Sequence, residues 1–76
     1  MPIAFVLVDV EVDRVKSILE KIRCIDGVAE AYTVAGERDI IVKAEAENFK
    51  DVAEAVTKKI HKIDGIVDTV TFFAFE

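Results

Sequence analysis

Two segments of the chain repeat each other. KIRCIDGVAEAYTV (residues 21–34) aligns with KIHKIDGIVDTVTF (residues 59–72), and the offset is 38 residues, from Asp26 to Asp64. Each copy has the pattern of a helix end, a glycine turn and a strand. The chain is therefore predicted to consist of two related halves with pseudo-twofold symmetry.

The flanking sequence completes each copy. Residues 2–10 are apolar and β-branched, which is typical of a strand buried on both faces. Amphipathic helix patterns follow at Val12 to Ile25 and at Phe49 to Ile63, with Asp13 and Asn48 as expected N-caps. The remaining strands are predicted at residues 28–35, 40–46 and 66–76, with a hairpin turn at residues 36–39.

The predicted order is therefore β-α-β-β-α-β. This order consists of two β-α-β units in tandem, which give the α+β ferredoxin-like fold. That fold is a four-stranded antiparallel sheet with two helices on one face, here in a single domain over residues 1–76. The face without helices would still carry apolar side chains, because the first and last strands are apolar on both of their faces. We expect two such sheets to pack face to face in a dimer.

Composition and net charge exclude several classes of function. The chain has 76 residues, a net charge of −5 and one cysteine, Cys24, so no internal disulfide can form. A domain this small needs another source of stability, which favours oligomerisation. An acidic chain does not attract phosphate backbones, so direct nucleic-acid binding is not expected. The sequence shows no clustered Cys/His ligands, signal peptide or membrane-spanning run, which predicts a cytoplasmic protein without metal or cofactor.

Ordered motifs across the whole chain carry a family resemblance. They are AFVLVDVE in the first strand, VAEAYTVAGERDIIVKAEA in the hairpin and IDGIVDTVTFFAF at the closing turn and strand. The hairpin contains Gly36-x-x-Asp39, and the closing strand contains two alternating threonines, Thr69 and Thr71. With these motifs the chain resembles the ligand-binding (RAM) domain of the Lrp/AsnC transcription regulators, in the stand-alone form without a helix-turn-helix.

The resemblance implies a regulatory function rather than an enzymatic one. Domains of this family dimerise through their sheets, and the dimers assemble into rings, commonly octamers or decamers. Amino acids or related effectors bind between dimers, near the Gly-x-x-Asp turn and, in some members, the threonines. The implied partners are a small effector, further copies of the chain and full-length Lrp/AsnC regulators.

The residues carried over from the family suit an α-amino acid. Asp39 could pair with the ammonium group, and Gly36 allows backbone N–H groups to approach the carboxylate. Thr69 and Thr71 share a strand face and could both donate from their hydroxyls. Three positions differ from the family pattern: Ala35 replaces a frequent Thr or Ser, Arg38 replaces a frequent aromatic residue, and Asp64 replaces the usual turn proline. Arg38 is a further candidate, for a carboxylate of the ligand or of a neighbouring subunit.

Two other functions remain open from the sequence. One is a purely structural oligomerisation domain with no ligand. The other is a small enzyme of the dimeric α/β-barrel type, which would need a positioned acid, base or cofactor. The only histidine, His61, falls on a helix and reads as a surface residue. No catalytic residue is therefore predicted.

Overall fold

The predicted order of elements is confirmed in the computed structural model, which describes residues 2–35 and 39–74. Strand β1 spans Ile3–Val10, a single 3-10 turn spans Val12–Arg14 and helix α1 spans Val15–Arg23. Strands β2 (Val28–Thr33) and β3 (Ile40–Glu45) form the hairpin. Helix α2 (Phe49–Glu54) continues as a π-helical segment (Ala55–Ile60), and strand β4 spans Ile66–Ala74.

The four strands form one antiparallel sheet in the order β2-β3-β1-β4. Strand β1 is central because it pairs with both β3 and β4: Val8 lies opposite Ile40 on one side and Thr69 on the other. The register between β1 and β4 shifts at Asp9 and Val10, so the ladder is irregular at this end of the sheet. Strands β2 and β4 are the sheet edges.

One face of the sheet packs against the helices. The alternating β1 residues Ala4, Val6, Val8 and Val10 are buried there, and α1, α2 and the π-helical segment form the opposite side of the core. The buried apolar residues of this core are Ala4, Val6, Val8, Val10, Ile18, Leu19, Ile22, Ala31, Ile40, Val42, Ala44, Val52, Val56 and Ile60. Because both helices lie on this face, the other face of the sheet is not covered by residues 2–35 or 39–74.

The uncovered side of the sheet, here called the open face, is largely apolar. Its apolar side chains follow from the strand register and are Ile3, Phe5, Leu7, Tyr32, Ile41, Val70, Phe72 and Ala74. Phe5 is 38% exposed, Tyr32 52% and Phe72 55%. A continuous apolar surface of this kind marks an interaction site in most soluble proteins. The sheet-to-sheet dimer stays a prediction.

Both glycines of the repeated IDG triplets have the role that the sequence predicts. Gly27 and Gly65 each have φ of +101°, a backbone conformation that other residues rarely adopt. A Cβ on Gly65 would lie 2.9 Å from Cδ1 of the buried Ile18 side chain. The turn that joins each helix to its strand therefore requires glycine for its conformation, and at Gly65 also for space.

The helix starts agree only in part with the sequence prediction. Asn48 is an N-cap, because its side-chain oxygen accepts a hydrogen bond from the Asp51 N–H at 2.9 Å. Asp13 is not an N-cap, because it lies inside the 3-10 turn, which begins at Val12. Val12 was predicted to belong to the buried stripe but is 90% exposed. A 3-10 turn has a different period from an α-helix, so the pattern does not extend into it.

Candidate functional site

Asp39 lies where β3 begins, and its carboxylate is held by the central strand. Its Oδ2 accepts a hydrogen bond from the Val10 N–H at 3.1 Å, and its own N–H donates to the Val8 carbonyl at 3.1 Å. The side chain thereby supplies an acceptor to the end of β1, where the register with β4 is irregular. Asp39 is half-buried, and these two bonds fix both its backbone and its carboxylate.

The hairpin tip is described only at its two ends. The Val34 N–H donates to the Asp39 carbonyl at 2.9 Å, which joins the ends of the turn. Ala35 is exposed on the β2 side. The predicted site residues Gly36 and Arg38 lie outside the described residues, so their roles stay predictions.

Thr69 and Thr71 share one face of β4, as their alternation predicts, and the strand register places that face on the helix-covered side. Thr69 is opposite Val8 and Thr71 is opposite Val6, and both threonines are half-buried. Thr69 and Ile40 flank Val8, so their backbones are roughly 10 Å apart across two strand spacings. The structure therefore brings Thr69 and Asp39 to the same end of the sheet, on opposite sides of β1, with Thr71 one pleat further along.

His61 contacts Thr69, a relationship that the sequence prediction missed. The Nε2 atom of His61 is 2.9 Å from the Thr69 hydroxyl oxygen, and the contact is exposed to solvent. The His61 N–H donates to the carbonyl of Val56, five residues earlier, at 3.3 Å. The π-helical segment that makes this bond is rare, and such turns occur often at functional sites.

Three surface grooves lie away from these residues. A groove of about 330 Å³ runs along β2 and includes Arg23 and Tyr32, and one of about 120 Å³ lies on the open face beside Phe5. The third, of about 550 Å³, has a mainly acidic lining that includes Glu45 and Asp51. None of these three grooves contains Asp39, Thr69 or Thr71.

Polar residues on β2 and β3 border the open face. The Tyr32 hydroxyl donates to Glu30 at 2.7 Å, and Glu30 also lies 3.8 Å from the Lys43 ammonium group. The hydrogen bond to Glu30, followed by the charge of Glu30, raises the pKa of the Tyr32 phenol. Arg23 lies 6.0 Å from the centre of the Tyr32 ring and opposes this rise. The raised pKa means that the Tyr32 phenol keeps its proton to a higher pH than a free tyrosine does.

Two further observations concern ligands and membranes. Within residues 2–35 and 39–74, no three His, Cys, Asp or Glu side chains are grouped as metal ligands would be. No helix in the same part of the chain is long and apolar enough to cross a membrane.

These features define a class of protein: a ferredoxin-like α+β domain with an open apolar sheet face and a polar cluster at one end of its sheet. Residues 3–76 match the family described as the Lrp/AsnC ligand binding domain. The chain belongs to this family, as its motifs predicted.

Relatives and solved structures agree with the family. An HTH-type transcriptional regulator from Pyrococcus furiosus, itself uncharacterised, is 40% identical over 75 residues, which cover 95% of this chain and 50% of the regulator. The chain thus spans about half the length of the curated relatives it matches. A solved protein from Thermus thermophilus is 32% identical with a TM-score of 0.94, covering 100% of this chain and 95% of that one. AsnC of E. coli is 25% identical with a TM-score of 0.88, covering 99% of this chain and 51% of AsnC.

Proposed function

We propose that the chain is a non-catalytic module that binds an amino acid or a related small effector and oligomerises, and that it acts in transcription regulation. The family is a ligand-binding one, and the relatives are described as transcriptional regulators. The effector would bind between dimers, beside Asp39, Thr69 and the hairpin tip with Gly36 and Arg38. Thr71 would border the same cleft.

The observation that carries the proposal is the fixed carboxylate of Asp39. Its Oδ2 is engaged by the Val10 N–H, so the side chain is already oriented before any ligand arrives. The proposal assigns the other oxygen, Oδ1, to the ammonium group of the effector. A charge-assisted hydrogen bond from a pre-oriented group is among the stronger polar contacts, because little side-chain entropy is lost when it forms.

The open face supports the oligomeric part of the proposal. Burying Phe5, Tyr32 and Phe72 against a second sheet would remove a large apolar area from water, which stabilises association. Domains of one family present similar faces, so the same packing would allow co-assembly with full-length Lrp/AsnC regulators. Such co-assembly would let a chain with a net charge of −5 act on transcription through its partner.

A purely structural domain is the second candidate, and the same Asp39 contact favours it. A carboxylate that accepts the Val10 N–H stabilises the end of the sheet whether or not a ligand is present. The two functions differ in whether the negative charge of Asp39 is needed, or only its oxygen acceptor.

A thermal-shift panel of the twenty amino acids distinguishes the candidates. Ligands that bind the native state raise the melting temperature by mass action. Asp39→Asn keeps an oxygen for the Val10 N–H but removes the charge, so we expect it to fold normally and to lose the ligand-induced shift. Asp64→Asn is the matched control, because Asp64 is 91% exposed and pairs only at the surface with Arg14. No shift with any amino acid at millimolar concentration would reject amino-acid binding and leave the structural domain.

A further inference from the structure

The two halves of the repeat use the same pair of positions for different contacts. Arg23 and His61 are 38 residues apart, and so are Ala31 and Thr69. In the first half, Nε and Nη2 of Arg23 donate to the Ala31 carbonyl at 3.0 and 2.7 Å. In the second half, Nε2 of His61 lies 2.9 Å from the Thr69 hydroxyl. Each contact joins the end of a helix to an edge strand.

The contact in the first half has one chemical state. The guanidinium group of Arg23 only donates, and the carbonyl of Ala31 only accepts. The donor and the acceptor of this bond therefore cannot exchange roles. The bond also covers a backbone acceptor on the β2 edge that another strand could otherwise use.

The contact in the second half has two states. A neutral imidazole has one donor and one acceptor nitrogen, and a hydroxyl both donates and accepts. When Nε2 of His61 accepts, the hydroxyl proton of Thr69 is used in that bond. When Nε2 carries the proton, the Thr69 oxygen accepts, and its own proton is available to a third group.

The π-helical segment explains why His61 reaches β4. In an α-helix, residues three and four apart share a face, so a residue five positions after the buried Val56 would turn away from the core. The five-residue hydrogen bond from the His61 N–H to Val56 widens the turn and brings His61 closer to the face that packs on the sheet. The first half has no such turn: α1 is α-helical up to Arg23, and the longer arginine side chain reaches the Ala31 carbonyl without one.

We propose that His61 is a positioning residue of the effector site. It donates from Nε2 to the Thr69 hydroxyl and thereby turns the hydroxyl proton toward the carboxylate of the bound amino acid. The carboxylate is the end assigned to Thr69 because the negative charge of Asp39 at the same end of the sheet attracts the ammonium group. This inference rests on the proposed function and adds a residue that selects which end of the ligand Thr69 meets.

Nitrogen-15 NMR tests the contact directly. His61 is the only histidine, so both imidazole nitrogens are assigned without ambiguity. In the ligand-free protein, Thr69→Val should shift the Nε2 resonance, whereas Lys62→Ala, at an exposed neighbouring position, should not. With each of the twenty amino acids added in turn, binding should give Nε2 the chemical shift of a protonated nitrogen. An Nε2 resonance unaffected by Thr69→Val overturns the inference.

Binding by variants tests the function of the contact. We expect His61→Ala to weaken amino-acid binding about tenfold, the effect of losing one oriented hydrogen bond. In His61→Gln an amide donor remains available near Thr69, so binding should be within about threefold of the native protein. Lys62→Ala should bind normally.

The outcomes separate the inference from the proposed function. If no amino acid binds the native protein, the proposed function fails, and the inference fails with it for lack of a ligand. If an amino acid binds and His61→Ala binds it equally well, the inference alone is overturned. If His61→Ala and His61→Gln weaken binding equally, orientation of the Thr69 hydroxyl is not the role of His61, and the inference is again overturned.

Discussion

The first and second halves of this chain share a fold but differ at the ends of their helices. In the first half, α1 ends in an arginine that is bonded to a backbone carbonyl of the β2 edge. In the second half, a π-helical segment precedes a histidine that contacts a hydroxyl of β4. The same repeat position therefore makes a hydrogen bond with one possible donor in the first half. In the second half it makes a contact whose donor and acceptor depend on the histidine tautomer. The shared backbone keeps the strand and helix in place in both cases.

The largest loss of stability is expected at core positions that are buried in both halves. Ile22 and Ile60 are repeat equivalents, and both are fully buried at 0% exposure. Ile22→Ala and Ile60→Ala should each lower the free energy of unfolding by about 2–5 kcal/mol, because each leaves a cavity in the core. Urea denaturation at one protein concentration measures both, since oligomers unfold in a concentration-dependent way. A cost for Ile60→Ala below about 1 kcal/mol would show that the second helix does not share the core as the first does.

A smaller loss of stability, and a different one in each half, is expected when the Arg23 and His61 contacts are removed. Arg23→Ala should cost about 1–2 kcal/mol of unfolding free energy, because a charged donor makes two bonds to one carbonyl. His61→Ala should cost under about 0.5 kcal/mol without ligand, since its contact is exposed. Arg23→Lys, which keeps the charge and one donor, should fall between Arg23→Ala and the native protein. Equal costs for Arg23→Ala and His61→Ala in urea denaturation would contradict the difference between the halves.

The smallest effect concerns pH. The pKa of Tyr32 is raised by Glu30, whereas its repeat equivalent, Val70, does not titrate. In the unfolded chain the phenol has a pKa of about 10, so the folded protein holds the phenolic proton more tightly. The Tyr32 contribution to stability is therefore present below about pH 10 and is lost as pH rises through the folded-state pKa.

Absorbance titration measures this pKa, because the chain has one tyrosine and no tryptophan. Glu30→Gln removes the charge that raises the pKa and should bring the titration back toward that of a free tyrosine. Tyr32→Phe should abolish the absorbance change at high pH. An unchanged midpoint in Glu30→Gln would show that Glu30 is not the cause.

Much of the fold was predictable because its signals are local. The repeated IDG triplets, the alternation of Thr69 and Thr71 in β4 and the cap at Asn48 each depend on residues close in sequence, and all are confirmed. The sequence did not predict where the second helix changes to π-helical hydrogen bonding. Apolar spacing alone does not distinguish hydrogen bonds to the fourth residue from bonds to the fifth.

The family motif named the candidate site residues but not their contacts. The ligand-binding roles of Gly36, Arg38, Asp39, Thr69 and Thr71 all stay predictions. His61 is exposed, as its sequence position suggested, yet it has a partner that the sequence reading did not provide. The repeat contained a signal for this contact, since Arg23 and His61 align, but only the structure showed what each one touches.

The sequence by itself determined the order of the elements and the two glycine turns, because these follow from periodicity and from backbone conformation. Tertiary structure decided that the Asp39 carboxylate meets the Val10 N–H, 29 positions away in the chain. It also decided that one helix end meets a carbonyl and the other a hydroxyl. Such contacts depend on strand register and helix turn, which bring together atoms that no local pattern connects.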